Sequence, residues 1–99
     1  TEILIERALD WVKRQNLQNQ RLKIADFGTG SGCILTALLS QLPLAHGLAV
    51  DKSAEALEVA SQNFVRNNVA DRVKTVNKDV QQLEANLGPF DLILANPPY

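Results

Sequence analysis

Strand-like and helix-like runs alternate along the whole chain, and few architectures accommodate that order. Lys23 to Phe27, Gly47 to Asp51, Val73 to Asn77 and Phe90 to Ala95 read as four short strands. The last is nearly continuous in apolar residues, as a buried parallel strand requires. Ahead of the first strand, Ile3, Leu4, Ala8, Trp11 and Val12 recur at helical spacing, with Glu2, Glu6 and Asp10 early and Lys13 and Arg14 late. That charge order suits a helix dipole. Cys33 to Leu42 repeats the helical pattern through Ile34, Leu35, Leu38, Leu39 and Leu42, and Pro43 halts it. Ser53 is placed to cap a third helix with an inner face of Leu57, Ala60 and Phe64, ended by Asn67-Asn68. Gln81 to Leu87 reads as a short helical turn before Gly88-Pro89. Strands joined through helices of this length imply right-handed βαβ crossovers and an α/β fold with a doubly wound parallel sheet.

Composition narrows the functional classes. With 99 residues, 45% hydrophobic and 21% charged, the chain is one soluble globular domain or part of one, not a membrane span, a disordered tail or a fibre. Ten basic and eleven acidic residues leave a net charge of -1, which excludes a surface that binds polyanions all over. Lys13, Arg14, Arg21 and Lys23 form the one basic cluster and read as a solvated face. The apolar run Ile34 to Leu39 is far too short to cross a bilayer, and no secretory leader is visible, so no membrane role is expected. The single cysteine, Cys33, excludes an intrachain disulfide and a cysteine zinc site. A small buried helix residue in a reducing, cytoplasmic setting is expected, with no metal. His46 has no companion ligand and is expected to face solvent or to cap. With no methionine and a stop after Asn-Pro-Pro-Tyr, the chain is expected to be an excerpt of a longer protein.

The segment Asp26-Phe27-Gly28-Thr29-Gly30-Ser31-Gly32 ends the first strand and opens a helix, the place where open α/β sheets bind ligands. Its glycines permit positive φ and bring backbone N–H groups close to a ligand. A phosphate loop would need Gly-Lys-Ser/Thr, which is absent. The dinucleotide fingerprint would need glycine at Cys33, and the third glycine falls one residue early. Asp51 closes the second strand, where a carboxylate can accept both hydroxyls of a ribose. A nicotinamide dinucleotide would use the same acid, so Asp51 leaves the cofactor open. Asp51 and its neighbour Lys52 join Asp26, Phe27, Gly28, Thr29, Gly30 and Gly32 as candidate cofactor-binding positions.

Asn96-Pro97-Pro98-Tyr99 ends the fourth strand. Two prolines stiffen the backbone and leave carbonyl acceptors only, Asn96 adds a side-chain oxygen, and Tyr99 adds a flat aromatic face. That set suits a planar –NH2 group, each of whose hydrogens finds an acceptor. Gripping both hydrogens favours pyramidalisation and aims the lone pair at an electrophile. As the nitrogen becomes cationic the acceptors bind it more strongly, which lowers the barrier. Asn96, Pro97, Pro98 and Tyr99 are therefore the candidate catalytic residues, and Asn96 also borders the cofactor.

The acid-x-Gly-x-Gly-x-Gly spacing resembles motif I of the Rossmann-like class I methyltransferases that use S-adenosyl-L-methionine. Over all 99 residues the chain resembles the HemK/PrmC-type protein-(glutamine-N5) methyltransferases of peptide chain release factors. Thr1-Glu2 opening the first helix, DFGTGSGCI at 26 to 34, Val50-Asp51 with a helix from Ser53, and NPPY at 96 to 99 carry the resemblance. It implies a seven-stranded sheet preceded by a helical domain, of which residues 1–99 hold a partial catalytic domain with four strands in the order 3-2-1-4. It also implies that Asp26 lies near the cationic amino and sulfonium end of the cofactor, that Asp79 faces the adenine amino group, and that Val80 flanks the ring. Phe27 stands where the family often has leucine. The implied reaction is methylation of a glutamine side-chain amide in a release factor. Adenine methylation of DNA or RNA is the alternative, because such enzymes use similar tetrapeptides. A NAD-binding module and a non-catalytic scaffold are further alternatives. The excerpt alone is expected to bind cofactor weakly at most and not to methylate.

Overall fold

A computed structural model describes residues 2–79 and 89–95. The elements are α1 (Glu2–Arg14), β1 (Lys23–Phe27), α2 (Cys33–Gln41), β2 (His46–Asp51), α3 (Ala54–Arg66), a 3-10 turn (Ala70–Arg72), β3 (Val73–Asn77) and β4 (Leu92–Ala95). They form one four-stranded sheet in the order β3-β2-β1-β4, with every neighbouring pair parallel. This is the expected α/β architecture and strand order. The chain steps outward from β1 to β2 to β3 and then returns to the other side of β1. The direction therefore reverses at β1, and the crevice where α/β sheets take ligands opens above its carboxyl end.

The local signals act as the sequence suggests. Ser53 is the N-cap of α3, and its hydroxyl accepts from the Ala56 N–H at 3.1 Å. Asn67 caps the other end, and Asn68 follows with a φ of 61°. Leu42 closes α2 just before Pro43. Carbonyls at the end of α2 and just past it lack partners within the helix, and Arg72 engages one in the last turn and two in the segment that follows. Its guanidinium donates to Leu39 O (2.9 Å), Leu42 O (3.0 Å) and Ala45 O (2.9 Å), tying the approach to β3 under the end of α2.

One hydrophobic core unites the helices with one face of the sheet. It contains Ala8 and Val12 of α1, Ile24 of β1, Leu35, Leu38 and Leu39 of α2, Ala49 of β2, Leu57, Ala60 and Phe64 of α3, and Leu94 of β4. Ile24 pairs with Gly47 and Leu92, and Asp26 pairs with Ala49 and Leu94. Strand alternation puts Ile24 and Asp26 on the same face. Asp26 thus sits on the core side of the sheet at its upper rim. Gly47 leaves room for Leu35: a Cβ there would lie 3.0 Å from both δ-methyl carbons.

Three expectations are corrected. The buried stripe of α1 runs through Ala8 and Val12, with Leu4, Ile5 and Leu9 packed beside it, whereas Ile3 (66%) and Trp11 (38%) are exposed. Apolar residues on neighbouring lines of a helix share one period, and only packing selects the line that turns inward. β4 begins at Leu92 rather than Phe90, because Asp91 ends the ladder. Its N–H donates to Lys23 O (2.8 Å) while its side-chain Oδ2 accepts from Lys23 N (2.7 Å), in place of a backbone carbonyl. Within β4 only Leu94 is buried, and Ile93 is 55% exposed. Cys33 is exposed instead of buried, because it is the first residue of α2 and leaves the loop on the outer side. His46 and the four residues of the basic cluster are exposed as expected. Among the described residues no helix is long and apolar enough to cross a membrane.

Candidate functional site

The loop after β1 is folded over the end of β2. Gly28 N and Thr29 N both donate to Val50 O, at 2.8 and 3.0 Å. Gly28, Gly30 and Gly32 hold φ values of 77°, 57° and 77°. The last two glycines serve different ends. A Cβ on Gly30 would meet nothing within 4 Å, so its backbone is open to close approach by a ligand. A Cβ on Gly32 would lie 2.7 Å from Phe64 Cε1 and 3.1 Å from Ala60 Cβ. Gly32 therefore lets the loop rest directly on α3.

Asp51 stands at the end of β2 beside this loop. Its Oδ2 accepts from Gly30 N (2.9 Å) and its Oδ1 from Ser53 N (2.9 Å), while its carbonyl accepts from Asn77 Nδ2 (3.1 Å). A carboxylate has about four acceptor positions. Two backbone donors fix the group and leave capacity on each oxygen for a pair of ligand hydroxyls. Sequence reasoning found Asp51 but not this clamp, since backbone N–H groups carry no sequence signature.

Asp26 is almost fully enclosed, at 2% exposure, and its Oδ2 accepts from Thr29 Oγ1 at 2.8 Å. Burial pushes its carboxyl above the ordinary range, the Thr29 hydrogen bond pulls it back, and the Asp51 charge adds a smaller upward push. Two acids at adjacent strand ends make the crevice attractive to a cation. A raised native pKa means that the stability associated with Asp26 is full below the unfolded-state carboxylate value and is lost as pH rises through the native one. Asp26→Asn keeps an oxygen for Thr29 and never ionises. The expected outcome is a higher Tm than the parent at about pH 7, the difference shrinking as pH falls towards about 4. Melting curves across that interval check it, and a lower Tm for the variant at neutral pH would contradict it.

Among the described residues, Phe27, Lys52 and Asp79 are distributed around the same rim. Phe27 is half-buried at the end of β1, and its ring meets Phe90 edge-on with centroids 6.4 Å apart. Lys52 is exposed just past β2, and Asp79 is exposed two residues past the end of β3. Val80 and the tetrapeptide Asn96, Pro97, Pro98 and Tyr99 lie outside the described residues, as do Thr1 and the turn expected at 81–87. Asn63, which no sequence pattern singled out, reaches from α3 to donate from Nδ2 to Ser31 O at 2.7 Å. Among the described residues, no three of His, Cys, Asp and Glu are grouped so as to hold a metal ion.

Comparison with known proteins gives a consistent picture. The release factor glutamine methyltransferase of Bradyrhizobium diazoefficiens is 48% identical over 99 residues, which is all of this chain and 32% of that protein. A human methyltransferase 10 domain containing protein superposes with a TM-score of 0.75 at 26% identity, covering 100% of this chain and 48% of the other. The plantazolicin methyltransferase BpumL, solved in complex with SAH, superposes with a TM-score of 0.61 at 28% identity, covering 75% of this chain and 26% of the other. The chain spans about a third of the length of the release factor glutamine methyltransferases it matches. The profile of the methyltransferase small domain matches residues 12–99. With the parallel β3-β2-β1-β4 sheet and the glycine loop at its reversal point, that match identifies the chain as a member of the methyltransferase small domain family.

Proposed function

We propose that this protein transfers a methyl group from S-adenosyl-L-methionine to the side-chain amide nitrogen of a glutamine in a peptide chain release factor, with residues 1–99 forming part of the catalytic domain. The observation that carries the cofactor assignment is the Asp51 carboxylate, clamped by Gly30 N and Ser53 N beside a glycine whose open side admits a ligand. The 48% identity to a release factor glutamine methyltransferase supports the choice of substrate.

The residues fit the cofactor. Asp51 retains acceptor capacity for two ribose hydroxyls, and the bare backbone at Gly30 accommodates the amino-acid portion. Asp26 offers negative potential to its cationic groups. Asp79, with Val80, is assigned to the adenine, and Lys52 and Phe27 border the site. The bound cofactor supplies a methyl group made electrophilic by an adjacent sulfonium.

Asn96 and the carbonyls of the Pro97-Pro98 segment accept the two hydrogens of the substrate amide, and Tyr99 stacks against its plane. Their hold turns a delocalised lone pair into an aimed one. It strengthens as positive charge grows on nitrogen, so it stabilises the transition state more than the ground state. The methylated nitrogen is strongly acidic at that stage and releases its proton without a dedicated base. The reaction belongs in the cytoplasm, a reducing setting suited to an exposed free Cys33.

The test is incubation of the full-length protein that carries residues 1–99 with methyl-labelled cofactor and, separately, release factor, DNA and RNA. Label is expected on the release factor alone, and replacing its acceptor glutamine by asparagine should abolish it. Label on nucleic acid alone would transfer the assignment to adenine, and failure to bind SAH would remove it altogether.

A further inference from the structure

Three peptide groups follow one another through the heart of the glycine loop. The first, between Thr29 and Gly30, is fixed because Gly30 N donates to Asp51 Oδ2 at 2.9 Å. The third, between Ser31 and Gly32, is held at both ends: Gly32 N donates to Thr29 O at 2.9 Å, and Ser31 O accepts from Asn63 Nδ2 at 2.7 Å. The second, between Gly30 and Ser31, lies between these two pinned neighbours on the open side of the loop, where a Cβ on Gly30 would meet nothing within 4 Å. Fixing the planes on either side of a peptide restricts the rotations that turn it.

Asn63 is well placed to act as such a pin. It sits one turn before the end of α3, half-buried, and its own carbonyl is engaged by Asn67 Nδ2 at 2.8 Å and by Asn67 N at 3.1 Å. The next residue, Phe64, is packed into the core and supplies the ring on which Gly32 rests. The anchor is therefore rigid. The same helix begins at Ser53, whose N–H holds Asp51 Oδ1. One element thus fixes both the ribose acid and the far side of the loop.

We propose that Asn63 is a positioning residue for the cofactor loop, its amide fixing the Ser31–Gly32 peptide and so orienting the Gly30–Ser31 peptide towards the ligand crevice. The proposal rests on the methyltransferase reading for its ligand, but not for its effect on the loop. Asn63 acts through backbone and touches no reacting atom. Its loss raises the cost of ordering the loop around a ligand and leaves the acceptor end of the site unchanged.

Three measurements on the full-length protein that carries residues 1–99 test it. Asn63→Leu removes the donor, Asn63→Asp replaces it with an acceptor facing Ser31 O, and Asn63→Gln restores an amide. Titration calorimetry with SAH should show affinity weakened about twofold to tenfold in the first two variants, the span of one net hydrogen bond, with partial recovery in the third. The KM for the methyl donor should rise by a similar factor while kcat stays close to that of the parent. Ligand-free amide exchange should quicken at Gly30 and Gly32 in Asn63→Leu and Asn63→Asp, with exchange in β1 and β2 unchanged. Unchanged SAH affinity together with unchanged exchange overturns the proposal, and so does a loss of affinity that only tracks a general fall in Tm. If the parent itself fails to bind SAH, the methyltransferase reading falls, and the exchange result alone decides whether Asn63 positions the loop.

Discussion

Gly32→Ala is expected to destabilise the protein by about 2–5 kcal/mol. Two costs add. The backbone holds φ at 77°, where an L side chain crowds the following carbonyl by roughly 1–2 kcal/mol. The new Cβ would lie 2.7 Å from Phe64 Cε1 and 2.8 Å from Phe64 Cζ, so ring or loop must move. Phe64 is 2% exposed, and its ring is enclosed by the core, so displacing it costs on the order of a further 1–3 kcal/mol. Gly30→Ala makes the control. It bears a similar backbone penalty at φ 57° but meets nothing within 4 Å, so it should cost only about 1–2 kcal/mol. Its main effect should fall on ligand affinity, because the methyl group projects into the open side of the loop. Urea unfolding of both variants separates the terms, and equal losses at the two positions would contradict the account of Gly32.

Asp51→Ala is expected to weaken SAH binding by about a hundredfold or more. Hydrogen bonds to a charged acceptor contribute about 1.5–3 kcal/mol each, and the assignment gives Asp51 two of them to the ribose. The same change releases Gly30 N and Ser53 N, so the loop and the start of α3 lose their common anchor. Asp51→Asn should be intermediate, since it keeps one oxygen and sets an amide donor against one of the two backbone N–H groups. Calorimetry with SAH measures the ladder from parent to Asn to Ala. A loss of less than roughly threefold in Asp51→Ala would sink the ribose assignment.

These two positions contrast with Asp26. Asp51 is held by two backbone donors at the edge of the crevice, whereas Asp26 is enclosed and burial pushes its carboxyl above the ordinary range. An acid kept ionisable in such surroundings at the cost of stability is the pattern of a group retained for a ligand. Asp26→Asn therefore separates stability from binding, whereas Asp51→Ala is expected to damage both.

Much of the fold was legible in the sequence because the signals that carry it are short-ranged. Ser53 caps α3 three residues from its partner Ala56, Pro43 lies just past the end of α2, and alternation along Ile24-Ala25-Asp26 assigns faces by a period of two. The strand order came with the family resemblance carried by DFGTGSGCI and Val50-Asp51, and the parallel pairing agrees with it. The loop and its two acids were also legible, because strand-end position and residue chemistry are both written locally.

Other features required the assembled structure. Periodicity set α1 but not which line of its surface turned inward, so Trp11 emerged and Val12 sank. Cys33 has an apolar residue's neighbours in sequence, yet its place at the first turn of α2 leaves it exposed. Arg72 satisfies carbonyls about thirty residues upstream, and Gly32 is required to be glycine by Phe64 and Ala60 of another helix. The sequence alone determined that the three helices and four strands of the described residues form, where the helices stop, and which strand ends carry the candidate loop and acids, since capping, side-chain period and backbone permissiveness are properties of a few adjacent residues. Only the tertiary structure decided what holds that site in shape, because a hydrogen bond such as Asn63 to Ser31 joins positions 32 residues apart and exists only once the core has brought α3 against the loop.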